Sequence, residues 1–378
     1  MKQSDRRILT THTGSLPRAA PLREHLRAKR KDGAEFQDAV AAAVLKTVRQ
    51  QIEVGLDVVN DGEQGKPDYS TYIKDRLTGF DGEPVNLGPT RDQADFPDYA
   101  AALPGLKGGR PSGPACTGPV EWKDFAAVER DIANLEAAVA AAAPAGETFM
   151  SAVSPGQAAR FMPNRHYRSQ EEYLHALAKV LAREYKAIAD AGFILQLDCP
   201  DLASGWNNQY RHLTVPEFRN AIALHVEVLN EAVKGIPAER MRMHLCWGNY
   251  EGPHNHDIAL REIIEPVLKA KPAGLSFEAA NPRHAHEWKI FREVGLPPGK
   301  VLIPGVIDST TNFVEHPELV AERLCNYASV AGRENVIAGT DCGFATSALD
   351  DMIFPSIAWA KLGALVDGAR LATKALWS

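Results

Sequence analysis

Eight short apolar segments, each running out into polar residues at its C-terminal end, set the tightest limit on what this chain can fold into. They are RILTTHTGS from Arg7, GLDVVNDGE from Gly55, ETFMSAVSPG from Glu147, GFILQLDCP from Gly192, MRMHLCWGN from Met241, AGLSFEAAN from Ala273, VLIPGVIDS from Val301 and NVIAGTDCG from Asn335. Amphipathic helical patterns separate them, such as AEFQDAVAAAVLKTVRQQIEVG ending at Gly55 and SQEEYLHALAKVLAREYKAIADAG between a Ser169 cap and Gly192. EFRNAIALHVEVLNEAV, DIALREIIEPVLKA and HPELVAERLCNYASVAG repeat the arrangement. Strands alternating with such helices imply parallel βα units, because each helix needs a sheet face on which to bury its apolar stripe.

The residues able to do chemistry sit at the ends of these strands: His12, Asp61 and Glu63, Ser154, Asp198, His244 and Cys246, Glu278, Asp308, and Asp341 and Cys342. In a closed (β/α)8 barrel all eight ends converge on one mouth. An open doubly wound sheet uses strand ends only near its switch point. The expected fold is therefore α/β, a single (β/α)8 TIM barrel spanning residues 1–378 as one catalytic domain. The Gly- and Pro-rich stretch 77–120 is expected to be an irregular excursion after the second strand, near the barrel mouth.

Charge and cysteine usage narrow the function. The formal net charge is −6, with both signs mixed along the chain, so no face resembles a phosphate-tracking surface and nucleic acid is not an expected partner. The basic stretch from Arg23 to Lys31 also contains Glu24, as a solvated helix face would. No run reaches the about 20 apolar residues of a membrane span, and the N-terminus lacks a signal-peptide core. A soluble, cytoplasmic protein is expected. Five scattered cysteines point to free thiols or metal ligands rather than a disulfide framework.

His244 and Cys246 are two residues apart, which on a strand puts both side chains on one face. Glu278 ends the next strand and Cys342 the last. Two thiols, one imidazole and one carboxylate form a borderline-soft set suited to tetrahedral Zn2+. Core packing alone gives no reason for all four at strand ends. Ligands drawn from three strands around a mouth suggest a catalytic zinc more than a structural one, which usually joins loops through paired cysteines. A zinc rich in anionic ligands is a poor electrophile but suits activation of a thiol. Glu278 is the ligand expected to loosen as substrate sulfur arrives.

The segments THTGSLPR, VNDGEQGK, LQLDCP, HLCWGN, SFEAAN, GVID and GTDCGF, in this order over nearly the whole chain, resemble the catalytic, C-terminal barrel of cobalamin-independent methionine synthase. The resemblance implies zinc on His244, Cys246, Glu278 and Cys342. It further implies that Gly14 and Ser15 contact the carboxylate of homocysteine and that Glu63 and Asp198 meet its ammonium, where charge-assisted hydrogen bonds are favourable. His12, Asp308 and Asp341 are candidate catalytic groups, while a cofactor-binding set beyond the metal is not apparent.

Three departures from the family stand out. There is no room for the second barrel of the long enzymes, and Cys199 stands where they carry a Glu. IDSTTN, from Ile307, lacks the His that follows the Asp matching Asp308. In the family that His delivers a proton to the folate leaving group, so its absence here leaves a folate donor without that acid. His254 and His256 are candidate substitutes. The departures resemble the short branch of the superfamily, which also contains epoxyalkane:coenzyme M transferases.

The leading expectation is a zinc-dependent S-methyltransferase that converts homocysteine to methionine. Its small-molecule partners would be the thiol and an alkyl donor, either methyltetrahydrofolate, a methylated corrinoid or an epoxide. Alkylation of coenzyme M is the alternative within the same chemistry, and a non-catalytic zinc-stabilised barrel or a metal-free decarboxylase the alternatives outside it.

Overall fold

The computed structural model describes residues 1–27, 33–102, 112–348 and 353–378. Part of the basic stretch (28–31) and part of the 77–120 excursion (103–111) lie outside the described residues. Eight strands form one parallel sheet: β1 (Leu9–Thr10), β2 (Val58–Val59), β3 (Glu147–Val153), β4 (Ile194–Asp198), β5 (Met241–Leu245), β6 (Gly274–Glu278), β7 (Val301–Ile307) and β8 (Ile337–Thr340). The hydrogen-bonded order is β1-β8-β7-β6-β5-β4-β3-β2. The sheet curls into a nearly closed (β/α)8 TIM barrel.

Helices follow the expected punctuation. Ala34–Val54 ends on Gly55 at φ 99°, a left-handed cap that suits glycine. Gln170–Asp190 begins where the Ser169 side chain accepts from the Glu172 amide. Val215–Ala232 and Pro317–Ala331 match their patterns, while Leu260–Leu268 is shorter than its pattern and contains Pro266. The outer ring is completed by Ala126–Ala142 before β3 and Pro355–Leu376 after β8, with only a short Phe291–Val294 turn of helix after β6. Among the described residues no helix is long and apolar enough to cross a membrane.

Two strands are only two residues long because side chains replace their ladder. Among the described residues no strand pairing joins β1 to β2; one backbone bond runs from the Asp57 amide to the Thr10 carbonyl at 3.0 Å. Asp57 Oδ2 accepts from the Thr10 amide at 2.9 Å and its hydroxyl at 3.0 Å, and the Thr11 hydroxyl donates to the Val58 carbonyl at 3.2 Å. Asn60 Nδ2 donates to the Gly14 carbonyl at 3.1 Å. The last join of the barrel is thus made largely by side chains.

The barrel interior is layered. Val58, Phe149 and Ile194 form one apolar cluster and Val301, Ile303 and Ile337 another. A polar layer centres on buried Arg242, whose guanidinium lies 3.5 Å from the Phe149 ring centroid. Arg242 donates to Gln196 Oε1 at 2.7 Å, the Thr11 hydroxyl at 2.9 Å and the His12 carbonyl at 2.7 Å. Burial lowers its pKa to about 9. Gln196 pairs in register with Arg242, and one pleat further on Asp198 pairs with His244. The period-two alternation therefore carries polar side chains upward toward the mouth.

Close packing at the top of β7 and β8 depends on Gly305, beside a register irregularity between Gly305 and Ile307. A Cβ on Gly305 would lie 2.4 Å from the Asp341 backbone nitrogen and Cα. Gly305→Ala is expected to push β8 outward, cost roughly 1–3 kcal/mol of stability as overpacking does, and lower metal retention at Cys342. Thermal unfolding and metal analysis of the purified variant would measure both; wild-type values for each would show that the strands have slack.

Candidate metal centre and its cavity

His244 projects from β5 on the face shared with Arg242, and Cys246 follows just past the strand end. Cys342 arrives from the end of β8, with its Sγ 3.1 Å from that of Cys246. One ligand atom from each of His244, Cys246 and Cys342 lies within 4.8 Å of the others, and all three residues are buried. All five cysteines are free thiols. Nδ1 of His244 is 3.1 Å from the Ser276 hydroxyl, which leaves Nε2 as the nitrogen able to bind a metal. Burial, reinforced by the Arg242 charge, lowers the His244 pKa to about 3, so the ring is neutral, the form that ligates. Burial and then the adjoining Cys246 thiol push Cys342 well above the usual thiol range. A pair of buried thiols this close ionises only if a cation joins them.

Glu278 stands beside this trio rather than within it. Its Oε1 is 3.9 Å from Cys342 Sγ and accepts from the backbone amides of Trp247 at 2.7 Å and Gly248 at 3.3 Å. Oε2 accepts from Asn281 Nδ2 at 3.0 Å. Trp247 is itself pinned: its indole nitrogen donates to the Ile258 carbonyl at 2.6 Å and its ring stacks on His284 at 4.0 Å. Its amide is thereby aimed at the carboxylate.

The cluster opens into a cavity of about 670 Å³ whose wall includes Ser15, Glu63, Asp198, His244, Cys246 and Cys342. Glu63 has φ 56°, an uncommon conformation for a residue with a side chain. Its Oε2 is buried without a hydrogen-bond partner among the described residues. Gly14 makes room for it, since a Cβ there would sit 2.5 Å from Glu63 Oε1. Asp198 accepts from Gln196 Nε2 at 2.9 Å. Burial, then repulsion by Glu63, raises the Asp198 pKa well above the carboxylate range; burial raises that of Glu63, against Lys66 and Arg18. Two mutually repelling buried carboxylates form a site for a cation.

Other candidates are held elsewhere. His12 lies inside the barrel, 2.8 Å from Gln51 Oε1 and edge-on to Phe149, with burial lowering its pKa to about 3. Asp308 accepts from the amides and hydroxyls of Thr310 and Thr311, closing a turn. Asp341 accepts from the amides of Ala279, Ala280 and Asn281 at 2.7, 2.8 and 2.7 Å, fixing the end of β6 next to Glu278. None of the three is on the cavity wall. Asp61 accepts from the Glu63 amide, and Ser154 caps helix Pro155–Phe161 while donating to Asp201. His254 and His256 pair with Asp257 and Asp95, each at 2.6 Å.

Sequence reasoning missed several contributors. Ser276 was reachable by strand alternation from Glu278. The Trp247 and Gly248 amides, the Asn249 side chain bridging Ser309 and the Gly343 carbonyl, and the contact of Tyr250 with Asp92 at 2.6 Å depend on loop paths that no periodicity encodes.

No protein-family model matches the chain. It is 25% identical over 376 residues to the methionine synthase of Saccharolobus solfataricus, covering 97% of this chain and 95% of that protein. It is 26% identical over 379 residues to the methionine synthase of Sulfurisphaera tokodaii, covering 97% and 93%. Among solved structures it is similar to a B12-independent methionine synthase from Shewanella sp. W3-18-1 in complex with selenomethionine. That likeness has TM-score 0.73 at 20% identity and covers 98% of this chain and 99% of the other. The end-to-end match likens the chain to methionine synthases, the structural likeness is to the same barrel, and the thiol-imidazole cluster at the barrel mouth could hold a metal ion.

Proposed function

We propose that this protein transfers a methyl group to the thiol of homocysteine, giving methionine, with zinc held by His244, Cys246 and Cys342 and with Glu278 as the fourth ligand. The observation that carries the reading is one cavity lined both by the thiol-imidazole cluster and by the paired carboxylates Glu63 and Asp198. The donor set fits zinc: two sulfurs and a nitrogen already adjacent, with a hard oxygen held at the edge. When bound there, zinc supplies Lewis acidity that lets a thiol lose its proton at neutral pH.

The chain's own residues do the rest. Glu63 and Asp198 bind the acceptor's ammonium, while the Gly14–Ser15 turn meets its carboxylate. Ser276 orients His244, the Trp247 and Gly248 amides steady Glu278, and the surrounding loops keep bulk water from the reacting sulfur. The whole of residues 1–378 acts as one catalytic unit. A cytoplasmic setting fits, since Cys246 and Cys342 must stay reduced.

Zinc-loaded protein given homocysteine and coenzyme M separately, each with methyltetrahydrofolate, methylcobalamin, a methylsulfonium and a short epoxide, tests the reading through loss of free thiol. Homocysteine is expected to be consumed and coenzyme M spared, because Glu63 and Asp198 repel a sulfonate. Preference for coenzyme M, or thiol loss only with the epoxide, would overturn it.

A further inference from the structure

The same cavity has a second half, walled by the excursion after β2 and by the loop after β5. The charge of the whole cavity is lopsided, and three of the carboxylates, Asp68, Asp92 and Glu251, lie outside the acceptor pair. Among the described lining residues are five carboxylates, on Glu63, Asp68, Asp92, Asp198 and Glu251, against one guanidinium, that of Arg160. Glu63 and Asp198 serve the acceptor's ammonium. Asp92 is fully buried, yet its oxygens accept only from neutral donors: Asn207 Nδ2 at 2.6 Å, the Tyr250 hydroxyl at 2.6 Å and the His256 amide at 2.9 Å. It lies on the cavity wall and has no ion-pair partner among the described residues. The phenol rings of Tyr69, Tyr99 and Tyr250 line the same space. Tyr250 lies close to the metal ligands, since a Cβ on Gly248, two residues after Cys246, would come within 2.6 Å of its ring.

We infer that this half of the cavity takes a methylsulfonium cation as the methyl donor. The inference rests on homocysteine being the acceptor. An anionic wall carrying aromatic rings attracts an onium methyl group. It repels the carboxylate tail of a folate and the phosphate of a corrinoid.

Leaving-group chemistry points the same way. A departing amine needs an acid, and among the described lining residues there is neither a lysine nor a histidine other than His244, whose ring is taken by Ser276 and the metal cluster. A sulfonium needs none. The acceptor sulfur forms a bond to the methyl carbon, and the donor's carbon–sulfur bond breaks with its electron pair kept by the departing sulfur. That sulfur leaves as a neutral thioether, and the acceptor thiol's proton passes to solvent.

The test supplies zinc-loaded protein and homocysteine with S-methylmethionine, methyltetrahydrofolate triglutamate or methylcobalamin in separate reactions, reading thiol loss and methionine. Calorimetry with zinc-free protein compares binding of S-methylmethionine and of neutral-sulfur methionine. S-methylmethionine is expected to consume thiol with two methionines formed per thiol, at a kcat/KM at least about 100-fold above the other donors, and to bind zinc-free protein more tightly than methionine does. Asp92→Asn is expected to raise its KM about 10-fold with kcat little changed; loss of kcat and of thermal stability together would mark Asp92 as a structural clasp and count against the inference. Turnover with the folate or corrinoid while the sulfonium stays inert overturns the donor but leaves the acceptor standing. If no donor consumes thiol, the acceptor reading fails, and equal or absent binding of the two methionine compounds overturns the donor inference on its own.

Discussion

On the proposed function, protein carrying Cys246→Ser or Cys342→Ser is expected to lose bound zinc and methyl transfer together while remaining a folded barrel. The two sulfurs, 3.1 Å apart, are the softest donors in the cluster. Replacing one with a hydroxyl removes a soft ligand that a bound cation can ionise and substitutes a hard one that stays protonated. Altering groups behind the ligands of a metal site typically costs 10–100-fold in affinity, so loss of a ligand itself should weaken zinc by at least roughly 100-fold. Activity should fall on the order of 10³-fold, as when a group acting at the reacting atoms is removed. The fold should persist because the apolar core is spread over the whole barrel and its helices, and the change of sulfur to oxygen leaves that packing intact. Metal analysis, circular dichroism and methionine formation on the same samples give the answer. A variant that keeps full zinc but loses activity, or one that unfolds on losing zinc, would contradict a catalytic metal at this position.

The second large effect concerns the ammonium of the proposed acceptor. Glu63→Gln and Asp198→Asn should each raise the KM for homocysteine by roughly 10- to 100-fold, the range of losing a hydrogen bond to a charged group. Zinc content should stay at the wild-type level, since neither side chain belongs to the metal cluster. Because the two carboxylates already repel each other, the double variant should cost less than the sum of the single ones. Steady-state kinetics with homocysteine, beside a thiol lacking the amino group, separates the possibilities: the variants should discriminate between the two thiols less than wild type. An unchanged KM, or a loss confined to stability, would reduce the pair to a structural role.

Much of this site was legible in the sequence because strand alternation is rigid. His244 and Cys246 share a face by period two, and the polar ends of eight strands meet because the barrel closes. What pattern reasoning does not reach is how a strand-end side chain turns once the strand stops. His12 turns into the interior and meets Gln51, Asp308 folds over its own turn, and Asp341 collects three amides of the neighbouring loop. Each looks like chemistry in the sequence, and in space each is hydrogen-bonded to its surroundings, off the cavity wall. Glu278, expected among the ligands, stands one step back because two backbone amides hold it. Those amides are positioned by the stacking of Trp247 on His284, a long-range contact with no local signature.

The join between β1 and β2 has a consequence for how such a barrel can be adjusted. Elsewhere the wall is held by strand-to-strand backbone ladders. Here it is knotted through Asp57, Thr10, Thr11 and Asn60, and just above those knots the chain carries Gly14 on one flank and Glu63 on the other. Point changes in the knots would alter the girth of the barrel at the very slit where, on the proposed function, the acceptor's two charged ends are gripped. Selection for a different thiol thus has a hinge to act on that leaves the β5 wall, with His244 and Cys246, untouched, while β8 and Cys342 adjoin it through β1.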